Sequence, residues 1–216
     1  MEIKRLGQRG VLFTYKNPSA CDLNLYAIQG RHYNYIIDTG LGSLSAQPIK
    51  DYLKDTGKQA IVINTHYHFD HVWGNGAFDD SLVISHTLCR EMMRSEWEHM
   101  MHEYGYRCRG EVKMRLPDLV FSGELRFAED AIRLFHSPGH TSDSISILDE
   151  TDRVLIVADN VGETMENLVP SLSCEKEIYR STLERYLALD FDLCVSGHNA
   201  ILKKSAIETV LSMLEK

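Results

Sequence analysis

The 216 residues of this chain, 44% of them apolar, are enough to bury the core of one domain, so we predict a single domain over residues 1–216. The net charge of −8 gives no sign of a basic surface for nucleic acid. The sequence contains no run of about 18 apolar residues, so no transmembrane helix is predicted. Five cysteines without CxxC spacing predict reduced thiols, and the first residues do not form an apolar signal segment. We therefore expect a cytoplasmic protein that has no nucleic-acid or membrane partner.

The first part of the chain combines strand patterns with one helix pattern. Short apolar runs between residues 2 and 38, broken by Gly and Asn-Pro, predict antiparallel strands. Residues 43–57 show a helical pattern that ends at Gly57, which suits the residue after a helix. The apolar run over 60–63 predicts a short buried strand.

The remainder of the chain continues this mixture. A helical pattern covers residues 86–106. Strands are then predicted near 124–127, 131–136, 144–149 and 153–157, followed by a helix over 175–189, a strand over 192–195 with Cys194 buried, and a terminal helix from about residue 203. This pattern alone predicts a protein of mixed α and β structure.

Four metal-ligand side chains occur within six residues of the sequence Thr-His-Tyr-His-Phe-Asp-His, directly after the predicted strand over 60–63. Alternate residues of an extended segment point the same way, so His66 and His68 can bind one ion together. Asp70 and His71 are adjacent and point apart, so they can turn toward a second ion. Imidazole nitrogen and carboxylate oxygen are usual ligands of zinc, and they also suit iron or manganese.

Three further candidate ligands stand where a predicted strand gives way to a loop. His140 lies in a turn between two strands, Asp159 follows a buried apolar run, and His198 follows a short strand. Such loop positions are the usual home of active-site groups in α/β proteins. Taken singly, the three residues are equally consistent with a turn residue, a helix N-cap and a surface histidine. Together with the motif they supply seven ligands, enough for two metal ions.

From Ile37-Asp38-Thr39-Gly40 through the histidine-rich motif to Gly197-His198, the chain resembles the metallo-β-lactamase superfamily, and within it the glyoxalase II-like dinuclear hydrolases. The resemblance implies a four-layer αββα sandwich of the α/β class. It implies that the first metal is bound by His66, His68 and His140, the second by Asp70, His71 and His198, and that Asp159 bridges both. It also implies that Asp38 orients the metal loop through hydrogen bonds without binding a metal itself.

These ligands predict a hydrolase with two divalent metal ions, preferably zinc, with iron or manganese as alternatives. Two metal ions lower the pKa of a bridging water toward about 7, so that hydroxide can attack a small carbonyl substrate: a thioester, ester, lactone or amide. Asp70 is the predicted catalytic residue, which orients the water and relays its proton. Dimers are common among such proteins, so a homodimer is consistent with the resemblance.

Other functions of the same metal centre stay open at this point. One is a phosphodiesterase of the same fold, and another is an iron-dependent oxygenase similar to the persulfide dioxygenases, or a protein that binds metal without turnover. Asp159 stands where many zinc β-lactamases carry Cys, which argues against that activity. Asn160 follows where acyl-homoserine lactonases place a Tyr, which argues against that assignment as well.

The helix predicted over 86–106 has a face rich in methionine and aromatic residues. This face contains Met93, Trp97, Met100, Met101 and Tyr104. Such a face can pack on the core, or it can form a pliable wall for apolar ligands. As a hypothesis, we place Tyr67, Trp97 and Met101 in a substrate wall.

Overall fold

The computed structural model describes residues 1–16, 21–162 and 164–214. The chain forms two compact units. The N-terminal unit consists of Ile3–Phe13 and Leu25–Ser122, and the C-terminal unit consists of Met1–Glu2, Thr14–Asn24 and Gly123–Lys216. The single domain over 1–216 stays a prediction, and residues 17–20, 163 and 215–216 of that range lie outside the described residues.

The N-terminal unit contains most of a seven-stranded sheet in which the strands follow one another in chain order. The strands are β1 (Glu2–Leu6), β2 (Gly10–Tyr15), β3 (Leu23–Gln29), β4 (Asn34–Ile37), β5 (Ala60–Ile63), β6 (Leu82–His86) and β7 (Leu119–Phe121). Strands β3 and β4 pair antiparallel, as the sequence predicts, and β4 to β7 are parallel neighbours. Strands β6 and β7 are additions to the predicted set.

Helices connect the parallel strands of this unit. Helix α1 (Ser43–Leu53) continues into a short 3-10 turn that ends at Gly57, whose φ of 68° is the left-handed conformation expected there. Helix α2 (Phe69–Val72) follows β5, and α3 (Thr87–Tyr104) follows β6, close to its predicted bounds. Because β4 and β5 are parallel, the residues that follow them meet at one edge of the sheet.

The C-terminal unit contains a six-stranded sheet in the order β13-β12-β11-β10-β9-β8. Its elements are β8 (Glu124–Phe127), β9 (Ile132–His136), β10 (Ile145–Asp149), β11 (Val154–Ala158), α4 (Lys176–Leu187), β12 (Leu193–Ser196), β13 (Leu202–Lys203) and α5 (Lys204–Leu214). Strands β8 to β11 pair antiparallel, whereas β11 and β12 are parallel. The strands and helices predicted for this region are confirmed.

Each unit has its own apolar core. In the C-terminal unit, α4 and α5 pack their apolar faces against β11 and β12, and Cys194 is fully buried there, as predicted. In the N-terminal unit, Met93, Trp97 and Met100 of α3 are buried against Val72 and Trp73. Among the helices that the structure describes, none has both the length and the apolar character needed to cross a bilayer.

Candidate metal-binding site

The first group of candidate ligands belongs to the N-terminal unit and follows β4 and β5. Asp38 comes directly after β4 with a φ of 60°, a conformation that Asp adopts more readily than most residues. Its buried carboxylate accepts hydrogen bonds from the Thr65 backbone N–H (2.8 Å) and from the Thr65 hydroxyl (2.7 Å). Asp38 Oδ2 also lies 2.7 Å from Nδ1 of His71. One carboxylate therefore fixes both the loop after β5 and the ring of His71.

These hydrogen bonds determine which nitrogen of His71 carries the proton. A carboxylate only accepts, so Nδ1 of His71 donates to Asp38, and Nε2 of the neutral ring keeps its lone pair. His71 is fully buried, and its Nε2 lies 3.9 Å from Oδ1 of Asp70. The Asp38 contact thus keeps the lone pair of His71 on Nε2, the nitrogen that could bind a metal ion.

A chain of hydrogen bonds connects Asp38 to His66 through Thr65. The Thr65 hydroxyl donates its one hydrogen to Asp38, so it acts as an acceptor toward Nδ1 of His66, 3.1 Å away. Nε2 of His66 then keeps its lone pair and lies 3.0 Å from Nδ1 of His68. The rings of His66 and His68 are edge to face, with centroids 4.7 Å apart. Two imidazole nitrogens therefore face the same point, as the alternation of the motif predicts.

The loop that carries these ligands rests on a buried polar network. The amides of Asn64 and Asn75 exchange two hydrogen bonds of 2.9 and 2.8 Å, and both residues are fully buried. The Thr39 backbone N–H donates to the carbonyl of His71 at 2.8 Å. Gly74 passes so close to Thr39 that a Cβ atom would lie 2.1 Å from the Thr39 carbonyl oxygen, so only glycine fits. Sequence reasoning did not find Asn64, Asn75 or Gly74, because their partners are distant in the chain.

The second group of candidate ligands belongs to the C-terminal unit. Nδ1 of His140 donates to the carbonyl of Ser171 (2.9 Å), so Nε2 carries the lone pair of the neutral ring, and it lies 3.6 Å from Oδ2 of Asp159. Nδ1 of His198 donates in the same way to the carbonyl of Asp22 (2.8 Å), and its Nε2 lies 3.2 Å from the same Asp159 oxygen. The three predicted ligands of this unit therefore converge, with Asp159 between the two histidines.

Asn160 holds the His140 turn in place. Its side chain accepts from the His140 backbone N–H (2.8 Å) and donates to the carbonyl of Ser137 (2.6 Å) and to the hydroxyl of Tyr186 (2.9 Å). Asn160 is fully buried, and burial raises the pKa of the Tyr186 hydroxyl, so that group stays neutral. In sequence, Asn160 attracts attention only as the residue after Asp159.

A small pocket opens beside the ligands of the C-terminal unit. It has a volume of about 160 Å³. Its lining consists of His140, Asp159, Val161, Gly162, Asn167, Pro170, Ser171 and His198. A metal ion or a small polar group would therefore reach all three candidate ligands of this unit from one cavity.

The other histidines and the predicted substrate wall have different surroundings. Nε2 of His86 lies 3.1 Å from the carbonyl of Ser122, and Nε2 of His136 lies 2.8 Å from the carbonyl of Ser142, in keeping with structural roles. Trp97 is buried in the core cluster of α3, and Tyr67 and Met101 are partly buried against that cluster. The substrate wall stays a prediction.

The chemistry of the donors fits divalent metals of the zinc, iron and manganese class. Each unit presents imidazole nitrogens and carboxylate oxygens among its described residues. Nδ1 of His71, His140 and His198 each donates to an oxygen acceptor, which is the arrangement that orients histidine ligands in metal sites.

Comparisons with known proteins agree with this chemistry. The family model of the metallo-beta-lactamase superfamily matches residues 19–198. An N-acyl homoserine lactonase of a Bacillus species is 32% identical over 134 residues, which are 57% of this chain and 48% of that protein. The acyl-coenzyme A thioesterase MBLAC2 of Bos taurus is 26% identical over 165 residues, 64% of this chain and 58% of that protein. The chain therefore spans about half the length of the curated relatives it matches.

Solved structures show the same fold at low sequence identity. The metallo-beta-lactamase FIM-1 from Pseudomonas aeruginosa has a TM-score of 0.80 at 12% identity, over 99% of this chain and 94% of that one. A metallo-beta-lactamase from Pontibacter korlensis has a TM-score of 0.73 at 17% identity, over 100% and 99% of the two chains. The predicted α/β sandwich fold is confirmed, and the glyoxalase II-like subtype stays a prediction. Because the family model covers most of its residues, this chain belongs to the metallo-β-lactamase superfamily.

Proposed function

We propose that this chain is a metal-dependent hydrolase that binds two divalent metal ions, preferably zinc, and cleaves a small carbonyl substrate. The proposed ligands of the first ion are His66, His68 and His140, those of the second are Asp70, His71 and His198, and Asp159 is a ligand of both. The observation that carries the proposal is the hydrogen bonding of the histidines. Nδ1 of His71, His140 and His198 each donates to an oxygen acceptor, so Nε2 of each ring can present its lone pair to a metal ion.

The metals would polarise the substrate carbonyl and supply an activated water near neutral pH. The residues of the chain itself would orient the metal-ligating side chains and transfer a proton. Asp70 is the proposed catalytic residue, because its carboxylate is partly exposed and its Oδ1 lies 3.9 Å from Nε2 of His71. It would orient the attacking water and take up its proton. Asp38 and Thr65 would keep the rings of the neighbouring histidines in a fixed orientation during this transfer.

The substrate class is an acyl compound. The relatives include an N-acyl homoserine lactonase and an acyl-coenzyme A thioesterase, and a lactone and a thioester both offer a carbonyl carbon that hydroxide can attack. These names favour a carbonyl substrate over a phosphodiester. The exact bond, the use of zinc, a homodimer and a cytoplasmic location stay proposals. The same holds for the absence of a nucleic-acid partner.

The test combines metal analysis with two chromogenic substrates. The zinc-loaded chain and its Asp159→Ala variant are assayed on a thioester and on a phosphodiester, with zinc per chain measured in the same samples. We expect about two zinc ions per chain, turnover of the thioester alone, and loss of that turnover in the variant. Turnover of the phosphodiester alone would assign the chain to the phosphodiesterase class instead.

A matched variant separates loss of the metals from loss of the fold. Asp149 is also a fully buried aspartate of the C-terminal unit, and it accepts hydrogen bonds from the backbone N–H groups of Thr151 and Asp152. Asp149→Ala removes a buried carboxylate that is not a proposed ligand, so it is expected to retain thioester turnover. Native iron at one ion per chain, with oxygen uptake on a persulfide, would favour the oxygenase alternative.

A further inference from the structure

The residues at the start of β3 contact the loop that carries His198. Both segments belong to the C-terminal unit, which includes Thr14–Asn24 as well as Gly123–Lys216. The carbonyl of Asp22 accepts a hydrogen bond from Nδ1 of His198 at 2.8 Å. Two residues further along, Asn24 is buried and makes its hydrogen bonds to the backbone of the same loop. Residues 22–24 therefore hold both the ring of His198 and the loop around it.

Asn24 donates three hydrogen bonds to this loop, one from its backbone and two from its side chain. Its backbone N–H donates to the carbonyl of Gly197 at 2.7 Å. Its Nδ2 donates to the carbonyls of Ser196 (3.0 Å) and Asn199 (2.6 Å). These three carbonyls lie on both sides of His198 in the chain. Asn24 thus fixes the backbone before and after this candidate ligand.

The orientation of the Asn24 amide follows from its partners. A backbone carbonyl only accepts hydrogen bonds, so the NH₂ group must face Ser196 and Asn199. The hydroxyl of Thr14, on β2, donates to Oδ1 of Asn24 at 2.8 Å. Both hydrogens of the amide are therefore used within the loop. A side chain of the same length without two hydrogens to donate could not make these contacts.

A second set of hydrogen bonds joins the loop to the residues that follow β11. Oγ of Ser196 donates to the carbonyl of Val161 (2.9 Å), and Nδ2 of Asn199 donates to the carbonyl of Gly162 (2.8 Å). Ser196 and Asn199 are themselves buried. Loss of the Asn24 side chain would leave two buried carbonyls without this donor, and a buried acceptor without a partner is unfavourable. The loop would then have to move to find another donor.

We propose that Asn24 is a positioning residue, which holds the imidazole of His198 in the orientation needed to bind a metal ion. This inference rests on the proposed function, because His198 is there a ligand of the second ion. Asn24 does not touch the ion in this role. It acts through the backbone of residues 196–199 and keeps Nδ1 of His198 at the carbonyl of Asp22, so that Nε2 presents its lone pair in a fixed direction.

Zinc titration against a competing chelator tests this role in Asn24→Ala, with Asn34→Ala as the matched control. Asn34 is also a buried asparagine at the start of a strand, and its Nδ2 donates to Oγ1 of Thr56 (2.7 Å) and to the carbonyl of Lys58 (3.5 Å). Both variants lose donated hydrogen bonds, so both should unfold at a lower denaturant concentration than the wild type. Only Asn24→Ala should weaken the binding of one of the two zinc ions, by about 10–100-fold.

A second readout requires neither metal nor turnover. In the metal-free chain labelled with ¹⁵N-histidine, long-range ¹H–¹⁵N correlation at pH 8 distinguishes the protonated ring nitrogen of His198 from the unprotonated one. We expect Nδ1 to carry the hydrogen in the wild type and in Asn34→Ala. In Asn24→Ala we expect a mixture of the two ring forms, because the loop no longer holds Nδ1 at the carbonyl of Asp22.

Wild-type zinc affinities or an unchanged His198 spectrum in a folded Asn24→Ala variant would overturn the proposal, as would an equal loss of affinity in Asn34→Ala. If Asn24→Ala does not fold, Thr14→Val takes its place, since it removes only the donor to Oδ1 of Asn24. It should weaken the same zinc ion by about two- to tenfold, and an unchanged affinity would count against the proposal. Failure of the hydrolase proposal would be recognised separately, by fewer than two zinc ions bound to the wild type or by absent thioester turnover, because the ring form of His198 is measured without zinc.

Discussion

Replacing Asp38 by Asn tests how far the proposed metal site depends on a residue that binds no metal. The change keeps the size of the side chain, and Asn tolerates the positive φ of 60° at this position as well as Asp does. The Asp38 carboxylate accepts three hydrogen bonds of 2.7 to 2.8 Å. Asn offers a single oxygen, so its NH₂ group must face either the Thr65 N–H or Nδ1 of His71. In the second case His71 shifts its proton to Nε2 and can no longer bind a metal through that atom.

The magnitude follows from the bonds that are lost. A buried hydrogen bond to a charged group contributes about 1.5–3 kcal/mol, and at least one is lost in Asp38→Asn. We therefore expect the free energy of unfolding of the metal-free chain to fall by about 2 kcal/mol. Partners that orient a metal ligand typically change metal affinity by about 10–100-fold, which is about 1.4–2.7 kcal/mol. The loss is expected for one of the two ions, the one assigned to His71.

The assay is a competition titration with a zinc chelator, run beside denaturant unfolding of the metal-free chain. Asp149→Asn is the control, because it changes a fully buried aspartate that is not a proposed ligand and that accepts hydrogen bonds from the backbone N–H groups of Thr151 and Asp152. We expect two unequal zinc affinities in Asp38→Asn and wild-type affinities in Asp149→Asn. Wild-type zinc affinity in Asp38→Asn, together with unchanged thioester turnover, would refute the reasoning.

Three further predictions concern the C-terminal unit. Asp159→Ala should lower the zinc content by at least one ion per chain, since Asp159 is a proposed ligand of both; a variant that retains two ions contradicts this role. Asn160→Ala removes one of the hydrogen-bond partners of the buried Tyr186 hydroxyl, which keeps Ser146, and removes the acceptor for the His140 backbone N–H, so denaturant unfolding should show a loss of about 2–3 kcal/mol. Rescue of zinc affinity by Asn160→Asp, which keeps the acceptor for His140, would mark a positioning role, whereas unchanged affinity in the alanine variant would exclude one. Burial raises the pKa of Cys194 to about 12, so its thiol stays protonated and should resist alkylation at pH 8 until denaturant is added; labelling in the native protein contradicts this.

The sequence predicts most elements of the fold because their apolar patterns are long or regular. Helix α3 begins one residue after its predicted start, since His86 acts as its N-cap and accepts from the backbone N–H of Leu88. Strands β6 and β7 are missing from the predictions for a physical reason. Strand β7 has only three residues, none of them buried, and it exists because it pairs with β6 across a long stretch of chain. Such pairing leaves no periodic signal in the sequence.

The candidate site is predictable to a similar degree. The histidines and Asp159 are identifiable because several ligand-type residues at strand ends rarely coincide by chance. The residues that orient these ligands cannot be identified from the sequence, apart from Asp38, which the family resemblance supplies. Asn75 and Asn160 are fully buried amides whose partners are set by tertiary structure, and an isolated Asn in a sequence gives no sign of burial. The residues that orient the candidate ligands are therefore determined by tertiary packing, which the sequence alone does not show.

The hydrogen bonds that tie the histidine rings to oxygen acceptors do not involve a metal, and this has a thermodynamic consequence. Freezing a side chain costs about 0.5–1.5 kcal/mol of entropy, and here that cost is met during folding instead of during metal capture. The chain should therefore keep its fold when a chelator strips the ions, unlike small zinc domains that unfold without metal. On the proposed function, metal loading would be a reversible equilibrium set by the free ion concentration, and the apo chain would exchange one metal for another according to supply.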